Sequence, residues 1–199
     1  MKKRVQKVVM ASLLAAMPVM ASDDGLGLDE SLFGIELGYG QLSAETTNTN
    51  TTPATYSEGS TNIPYIGIKL GAQSNNYRVF VNGRYGQDQD DIFDYVMNGE
   101  VEGDYMFEFS RYANFFLGVH AGMIYTKFRL PSEPFSRTFS EVYYGGNAGF
   151  NFHATPDMDI ELGSRFSSID ATNVKSGVAY KLTDRISGYC SIIFKYQMD

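Results

Sequence analysis

Apolar and polar side chains alternate with a period of two residues along most of this chain. In the run FGIELGYG at 33–40, aliphatic and aromatic residues occupy every second position, and glycine or glutamate fills the others. Successive side chains of a β-strand point to opposite faces, so such a run predicts a strand with one apolar face and one small or charged face. Eight runs of this kind occur, at 33–40, 65–71, 77–85, 101–110, 115–126, 142–153, 158–167 and 189–196.

The connections between these runs alternate between short and long. Three are tight turns, at 73–76, 111–113 and 154–156, and four are long and polar, at 43–62, 87–99, 127–140 and 168–187. Short turns on one rim and long loops on the other are typical of a transmembrane barrel with its short turns in the periplasm. We therefore predict an all-β fold, an eight-stranded antiparallel up-and-down transmembrane β-barrel.

One segment allows a different strand count. Val174–Leu182 also alternates, and Thr183-Asp184-Arg185 could form a hairpin turn, which would give nine strands. An odd number would leave the C-terminus on the wrong side for a bacterial single-chain barrel. We interpret the segment as part of a long fourth outer loop, with a strand-like extension above the membrane, and keep the count at eight.

The alternation defines an apolar face and a polar face of the sheet. Three observations indicate that the apolar face contacts lipid rather than packing into a dry core. The strands are about 10 residues long, which matches tilted membrane strands. The polar face mixes glycine with charges of both signs, as a narrow barrel interior requires. Aromatic residues end the apolar face and predict an interfacial girdle: Tyr39, Tyr77, Tyr85, Tyr125 and Phe152. The alternative is a soluble barrel whose polar face is solvated.

Eleven charged residues share the polar face, so the prediction places them inside the barrel. An unpaired charge in a confined interior costs several kcal/mol, and we therefore expect ion pairs or networks. The predicted interior charges are Glu36, Lys69, Arg78, Arg84, Glu102, Asp104, Glu108, Asp159, Glu161, Arg165 and Lys195.

The N-terminus has the pattern of a secretory signal. Lys2, Lys3, Arg4 and Lys7 precede a short apolar stretch at 8–17, and Ala21 supplies the small residue for cleavage. We predict a signal peptide at 1–21, a periplasmic lead-in at 22–32 and the barrel at 33–199. The formal net charge of −7 becomes −11 when those four basic residues are removed. Such an acidic chain is not expected to bind nucleic acid.

The mature chain resembles small eight-stranded outer-membrane β-barrel proteins, the group of the OmpA transmembrane domain and the opacity-type porin-family proteins. The resemblance rests on the run at 33–40, on the hairpin from Gly149 to Gly163 and on the closing Ile193-Phe194-Lys195-Tyr196. The chain departs from the pattern at its end, where Gln197-Met198-Asp199 follows the last aromatic residue.

The resemblance implies the outer membrane of a Gram-negative bacterium and a structural, adhesion or recognition role through the outer loops. A narrow pore for ions or small solutes is the alternative, and a lipid-modifying envelope enzyme is a third. The implied partners are outer-membrane lipid and lipopolysaccharide, the barrel insertion machinery, and an external ligand or host surface.

Few residues suggest chemistry. His120 and His153 lie on the polar face, but no nucleophile motif accompanies them, so packing is favoured over catalysis and we expect no enzyme activity. The acidic stretch Asp88–Asp91 with Asp94 lacks the spacing of an EF-hand, so a solvated loop is favoured over a Ca²⁺ site. TTNTNTTPAT at 46–55 is low-complexity and suits a loop tip. Cys190 falls on the lipid face, and no metal or other cofactor is expected.

Overall fold

The computed structural model describes residues 29–48, 55–87, 93–129, 136–175 and 178–197. Within them the chain forms eight strands. Their bounds are β1 Glu30–Asn48, β2 Thr55–Gln73, β3 Tyr77–Gly86, β4 Phe93–Ser110, β5 Ala113–Arg129, β6 Ser136–Thr155, β7 Met158–Lys175 and β8 Val178–Gln197. The described residues contain no helix that is long and apolar enough to cross a membrane. The predicted signal peptide, the start of the lead-in, the tip of the threonine-rich loop and Asp88–Asp91 lie outside the described residues.

Every strand pairs antiparallel with its neighbours in sequence, and β1 closes the sheet by pairing with β8. Ile35 marks the seam, since it lies opposite Ile68 on one side and Ile192 on the other. Where all eight strands pair, closure leaves no free sheet edge, which removes the unpaired backbone groups that an open sheet exposes. The predicted eight-stranded antiparallel up-and-down barrel is confirmed.

The strands extend much further than the sequence predicts. The segments 43–62, 87–99, 127–140 and 168–187, predicted as loops, are mostly strand, and β1 and β2 stay paired up to Asn48 and Thr55. The loops were predicted from their polar composition. Threonine and tyrosine nevertheless favour strands, and a strand whose outer face contacts water can be polar. All three predicted short turns occur, at 74–76, 111–112 and 156–157, and the third begins two residues later than predicted and ends one residue later.

The segment Val174–Leu182 belongs to the β7–β8 hairpin. β7 ends at Lys175 and β8 begins at Val178, so this region is strand rather than loop, and the count remains eight. Thr183-Asp184-Arg185 is not a turn but lies within β8. The register shifts here against both neighbours, between Ser168 and Ala171 and between Leu42 and Ala44. A bulge at this position swaps the faces of β8 without ending it.

The apolar side chains face outward. Leu117 and Val119 on β5 are 54% and 71% exposed, whereas Glu36 and Glu102 are fully buried. This is the reverse of a water-soluble barrel, in which apolar residues fill the centre. The outward apolar belt contains residues from every strand, among them Leu37, Ile68, Val79, Phe107, Leu117, Phe150, Leu162 and Ile192.

Inward-facing glycines leave room for large inward side chains. A Cβ placed on Gly38 would lie 2.2 Å from the Tyr65 ring, and one on Gly163 would lie 2.4 Å from the Tyr189 ring. Glycine at these two positions therefore lets both tyrosines fold flat against the inner wall. This explains why glycine alternates with bulky residues on the polar face.

Candidate functional site

The barrel interior holds a network of buried ion pairs, centred on Lys69 of β2. Its Nζ lies 3.1 Å from Glu102 Oε1 and 2.8 Å from Glu161 Oε1. Glu36 Oε2 is 3.8 Å away. These three carboxylates come from β4, β7 and β1, so one ammonium group ties the far walls of the barrel together.

Two arginines extend the network towards the long hairpins. Arg84 pairs with Glu36, at 2.6 Å from its Nε, and with Glu100. Arg165 reaches Glu102 Oε2 at 2.7 Å and Glu36 Oε1 at 3.3 Å. Each carboxylate thus meets more than one cation, the arrangement that offsets the desolvation of buried charges.

A third arginine extends the network towards the short turns. Arg78 Nε donates to Asp104 Oδ2 at 2.8 Å, and its Nη2 contacts Glu161. The remaining oxygen of Asp104 accepts from Asn147 Nδ2 at 2.7 Å. Arg78 is almost fully buried, so this pair also lies in the closed interior.

Asp159 centres a smaller cluster next to the last short turn. It accepts from Lys195 Nζ at 3.0 Å and from Asn151 Nδ2 at 2.8 Å, and lies 2.9 Å from His153 Nδ1. These partners lie on β8 and β6, so the cluster joins three neighbouring strands at the rim. His153 is half-buried here, and the geometry gives it a packing position.

One predicted interior charge lies elsewhere. Glu108 continues the inward row of β4, but its side chain is exposed, so the prediction is wrong for this residue. Glu108 lies only two residues from the end of β4, beside a short turn, so its side chain lies outside the enclosed part of the barrel. The other ten predicted charges occupy the two clusters described above.

Two interior charges were missed by the sequence analysis. Glu100 accepts from the Tyr143 hydroxyl at 2.7 Å and from Asn82 Nδ2 at 3.1 Å, and Arg185 donates to Asn98 Oδ1 at 2.9 Å. Arg185 lies in the stretch 168–187, predicted as a loop, and Glu100 lies between the predicted loop at 87–99 and the predicted strand at 101–110. The signal was present, since Glu100 continues the row of Glu102 and Asp104.

Aromatic rings line the cations of the network. Lys69 Nζ lies 4.4 Å from the centroid of the Phe80 ring, and Arg78 lies 4.5 Å from that of Phe116. Arg165 lies 4.4 Å from the Tyr189 centroid. Cations over ring faces gain cation–π attraction, and the rings exclude water from the ion pairs.

Buried apolar side chains flank the network at both ends. Towards the short turns, Leu32, Phe80 and Ile193 pack as one cluster. On the long-hairpin side the inward positions are again aliphatic and almost fully buried: Leu42, Ile63, Val96, Ile124, Ile169 and Leu182. Side chains therefore fill most of the described interior, as expected of eight strands.

His120 does not form a catalytic constellation. Its Nε2 lies 2.9 Å from Ser167 Oγ, a pairing that the sequence analysis did not anticipate. Its Nδ1 is buried and has no hydrogen-bond partner among the described residues, so no orienting acid completes a triad. Both side chains are buried inside the barrel.

The five predicted interfacial aromatics all point outward, and they fall at two heights. Tyr39, Tyr85 and Tyr125 lie near the long hairpins, where Tyr95 stacks between the last two at 6.4 and 6.2 Å. Tyr77 and Phe152 lie near the short turns. Tyr77 meets the Tyr105 ring edge-on at 5.0 Å. Two separate aromatic bands bound the apolar belt, as the two membrane interfaces require.

The described residues offer no group of three or more histidine, cysteine or acidic side chains arranged to hold a metal ion. Cys190 is exposed on the outer face of β8, opposite Leu37 and Leu162 in the apolar belt. It therefore faces the same surroundings as its aliphatic neighbours.

Several solved structures of outer-membrane proteins are similar to this chain. Neisserial surface protein A (NspA) matches with a TM-score of 0.56 and 16% identity, over 83% of this chain and 97% of its own. OprG from Pseudomonas aeruginosa matches with a TM-score of 0.57 and 13% identity, over 86% and 99%. The outer membrane protein AlkL, solved in lipid bilayers, matches with a TM-score of 0.52 and 11% identity, over 89% of this chain and 95% of its own. At these identities the likeness concerns the fold.

No curated protein matches the chain by sequence. A family model does match, that of the outer membrane protein beta-barrel domain, over residues 8–183. The match covers most of the chain, and it agrees with the closed barrel, the outward apolar belt and the buried charges. This protein belongs to the outer membrane protein β-barrel domain family.

Proposed function

We propose that this protein is a closed outer-membrane barrel that displays its long hairpins as a rigid surface for adhesion or recognition. The observation that carries the proposal is the combination of a filled interior with strands that continue far beyond the apolar belt. From Tyr39, at the edge of that belt, β1 continues for nine residues to Asn48, about 30 Å along the strand.

The filled interior argues for a surface role over transport. A pore would need a continuous polar path, but the charged groups here pair with one another between two apolar ends. Opening such a path would separate buried ion pairs that cost several kcal/mol each to break. The narrow pore is therefore the second candidate.

Conductance in planar bilayers tests the closed interior. We expect the wild-type barrel to insert without steady openings. The variant Arg165→Gln, which removes contacts to three carboxylates, serves as a positive comparison because it loosens the network. Steady wild-type openings of uniform size would contradict the proposal and favour the pore.

Shortening a hairpin tests the surface role. Replacing residues 44–59 with an Asn-Gly turn removes the β1–β2 extension and leaves the membrane part of both strands. We expect a barrel that still folds but gives weaker attachment of expressing cells to host cells or matrix. A matched control keeps the length and scrambles only residues 49–54. Unchanged attachment after shortening each of the four hairpins in turn would count against the role.

The location and partners follow from this role. Outer-membrane lipid and lipopolysaccharide would surround the belt, the insertion machinery would handle the last strand, and a host surface or external ligand would meet the hairpins. We propose cleavage after Ala21, because a basic and then an apolar segment precede it. Sequencing the N-terminus of the membrane-extracted protein tests this, and a start upstream of Ser22 would contradict it.

A further inference from the structure

A small cavity lies inside the barrel, between the ion-pair network and the aliphatic layer on the long-hairpin side. Three guanidinium groups line it, those of Arg84, Arg165 and Arg185, together with serine hydroxyls and tyrosine rings. No carboxylate is among its lining residues in the described part of the chain. The carboxylates that pair with Arg84 and Arg165 lie behind the cavity wall, and the cavity has room for about one water-sized ligand.

Arg185 differs from the other two arginines of the cavity. Arg84 and Arg165 each pair with buried carboxylates. Arg185 is only 6% exposed and has no ion pair in the described residues. It donates a hydrogen bond to Asn98 Oδ1, and its guanidinium carbon lies 5.0 Å from the centroid of the Tyr65 ring. A buried charge without a counter-charge is costly, and this one is retained on an inner wall.

Two buried donors at the cavity lack acceptors. Neither Arg185 Nε nor the Tyr65 hydroxyl has a hydrogen-bond partner among the described residues. Gly40 lets Arg185 pack close to β1, since a Cβ at that position would lie 3.0 Å from Nε. Buried donors of this kind are normally satisfied, so an acceptor in the cavity would complete their hydrogen bonds.

We propose that this cavity binds a monatomic anion of the size of chloride or bromide, held by Arg185 with the Tyr65 hydroxyl as a second donor. The positive charge of Arg185, which has no ion pair in the described residues, selects an anion over a cation. The small volume selects a single atom over phosphate, sulfate or a carboxylate. The bound anion gives Arg185 the counter-charge that the barrel wall does not supply.

Halide-dependent stability tests the site. The full chain, folded in detergent, is heated in sodium bromide or in sodium gluconate at equal ionic strength, and the folded fraction is read from gel mobility. We expect bromide to raise the midpoint temperature saturably, by about 3–6 °C at tenfold excess over the dissociation constant. Equal midpoints in the two salts would overturn the proposal, because the cavity would then hold water only.

Two variants locate the effect, and each has a matched control. Arg185→Gln removes the charge, and Gly40→Ala crowds Nε and displaces the guanidinium while keeping the charge, so we expect both to lose the bromide shift. Lys181→Gln and Gly188→Ala alter exposed positions on the same strand as Arg185 and should keep it. A full bromide shift in Arg185→Gln would overturn the site.

Anomalous diffraction from wild-type crystals grown in bromide gives a readout that does not depend on how the variants fold. We expect a bromide peak within hydrogen-bonding distance of Arg185 Nε. A cavity without anomalous density would contradict the proposal.

Discussion

At the scale of single residues, the interior depends on charges that meet several partners at once. Lys69 is the clearest case, because it contacts Glu102 and Glu161 from opposite walls while almost fully buried. We expect Lys69→Gln to lower the free energy of unfolding by about 3–5 kcal/mol, because it leaves two buried carboxylates short of a cation. Urea-dependent folding into lipid vesicles measures this. Lys181→Gln, at an exposed position, should change it by less than about 0.5 kcal/mol.

The inward glycines give a second prediction at this scale. Gly38→Ala places a methyl group where the Tyr65 ring lies, and the ring has the inner wall behind it. We expect the free energy of unfolding to fall by about 1–3 kcal/mol, the usual cost of overpacking. Gly83→Ala is the control, because no atom lies within 4 Å of its added Cβ. Equal effects of the two substitutions would mean that Gly38 does not make room for Tyr65.

At the scale of elements, one strand passes through two surroundings. β2 crosses the apolar belt at Ile68 and continues beyond it to Tyr56, and both side chains point outward. We expect Ile68→Arg to cost about 2–4 kcal/mol in a bilayer and Tyr56→Arg about 0–1 kcal/mol, because the cost of a charge depends on its depth. The same folding assay measures both. A larger cost at Tyr56 than at Ile68 would contradict the assignment of Ile68 to the membrane-spanning part of β2.

The alternation predicted the number of strands, their direction and their faces, because a period of two is specific to a strand with unlike faces. It did not predict where the strands end. Outside the belt, water replaces lipid, so the outer face becomes polar and the alternation in hydropathy fades although the pairing continues. Glu100 and Arg185 were missed for this reason, since both lie just beyond the predicted ends.

The pairing of interior charges was beyond the sequence for a different reason. Which carboxylate meets which cation depends on the stagger of distant strands, such as β1 and β7, which place Glu36 beside Arg165. A one-residue slip in register would turn these side chains to the outer face. The composition of the polar face predicted ion pairs, but only the closed barrel assigns partners.

At the scale of the whole molecule, the account depends on hydrocarbon meeting the apolar belt and on a dry, charged centre. The chain offers one direct probe, because its only cysteine, Cys190, lies on the outer face of β8 within the belt. The next residue, Ser191, is almost fully buried inside. Adjacent positions on one strand therefore report on the two sides of the wall.

The decisive measurement is the collision rate of a nitroxide spin label at Cys190 with oxygen and with a water-soluble nickel complex, in lipid vesicles. The account predicts frequent collisions with oxygen, which concentrates in hydrocarbon, and few with nickel. A label at Ser191→Cys, in a Cys190→Ser background, should collide rarely with both. Frequent nickel collisions at Cys190 would show that the apolar face meets water, and the account would be contradicted.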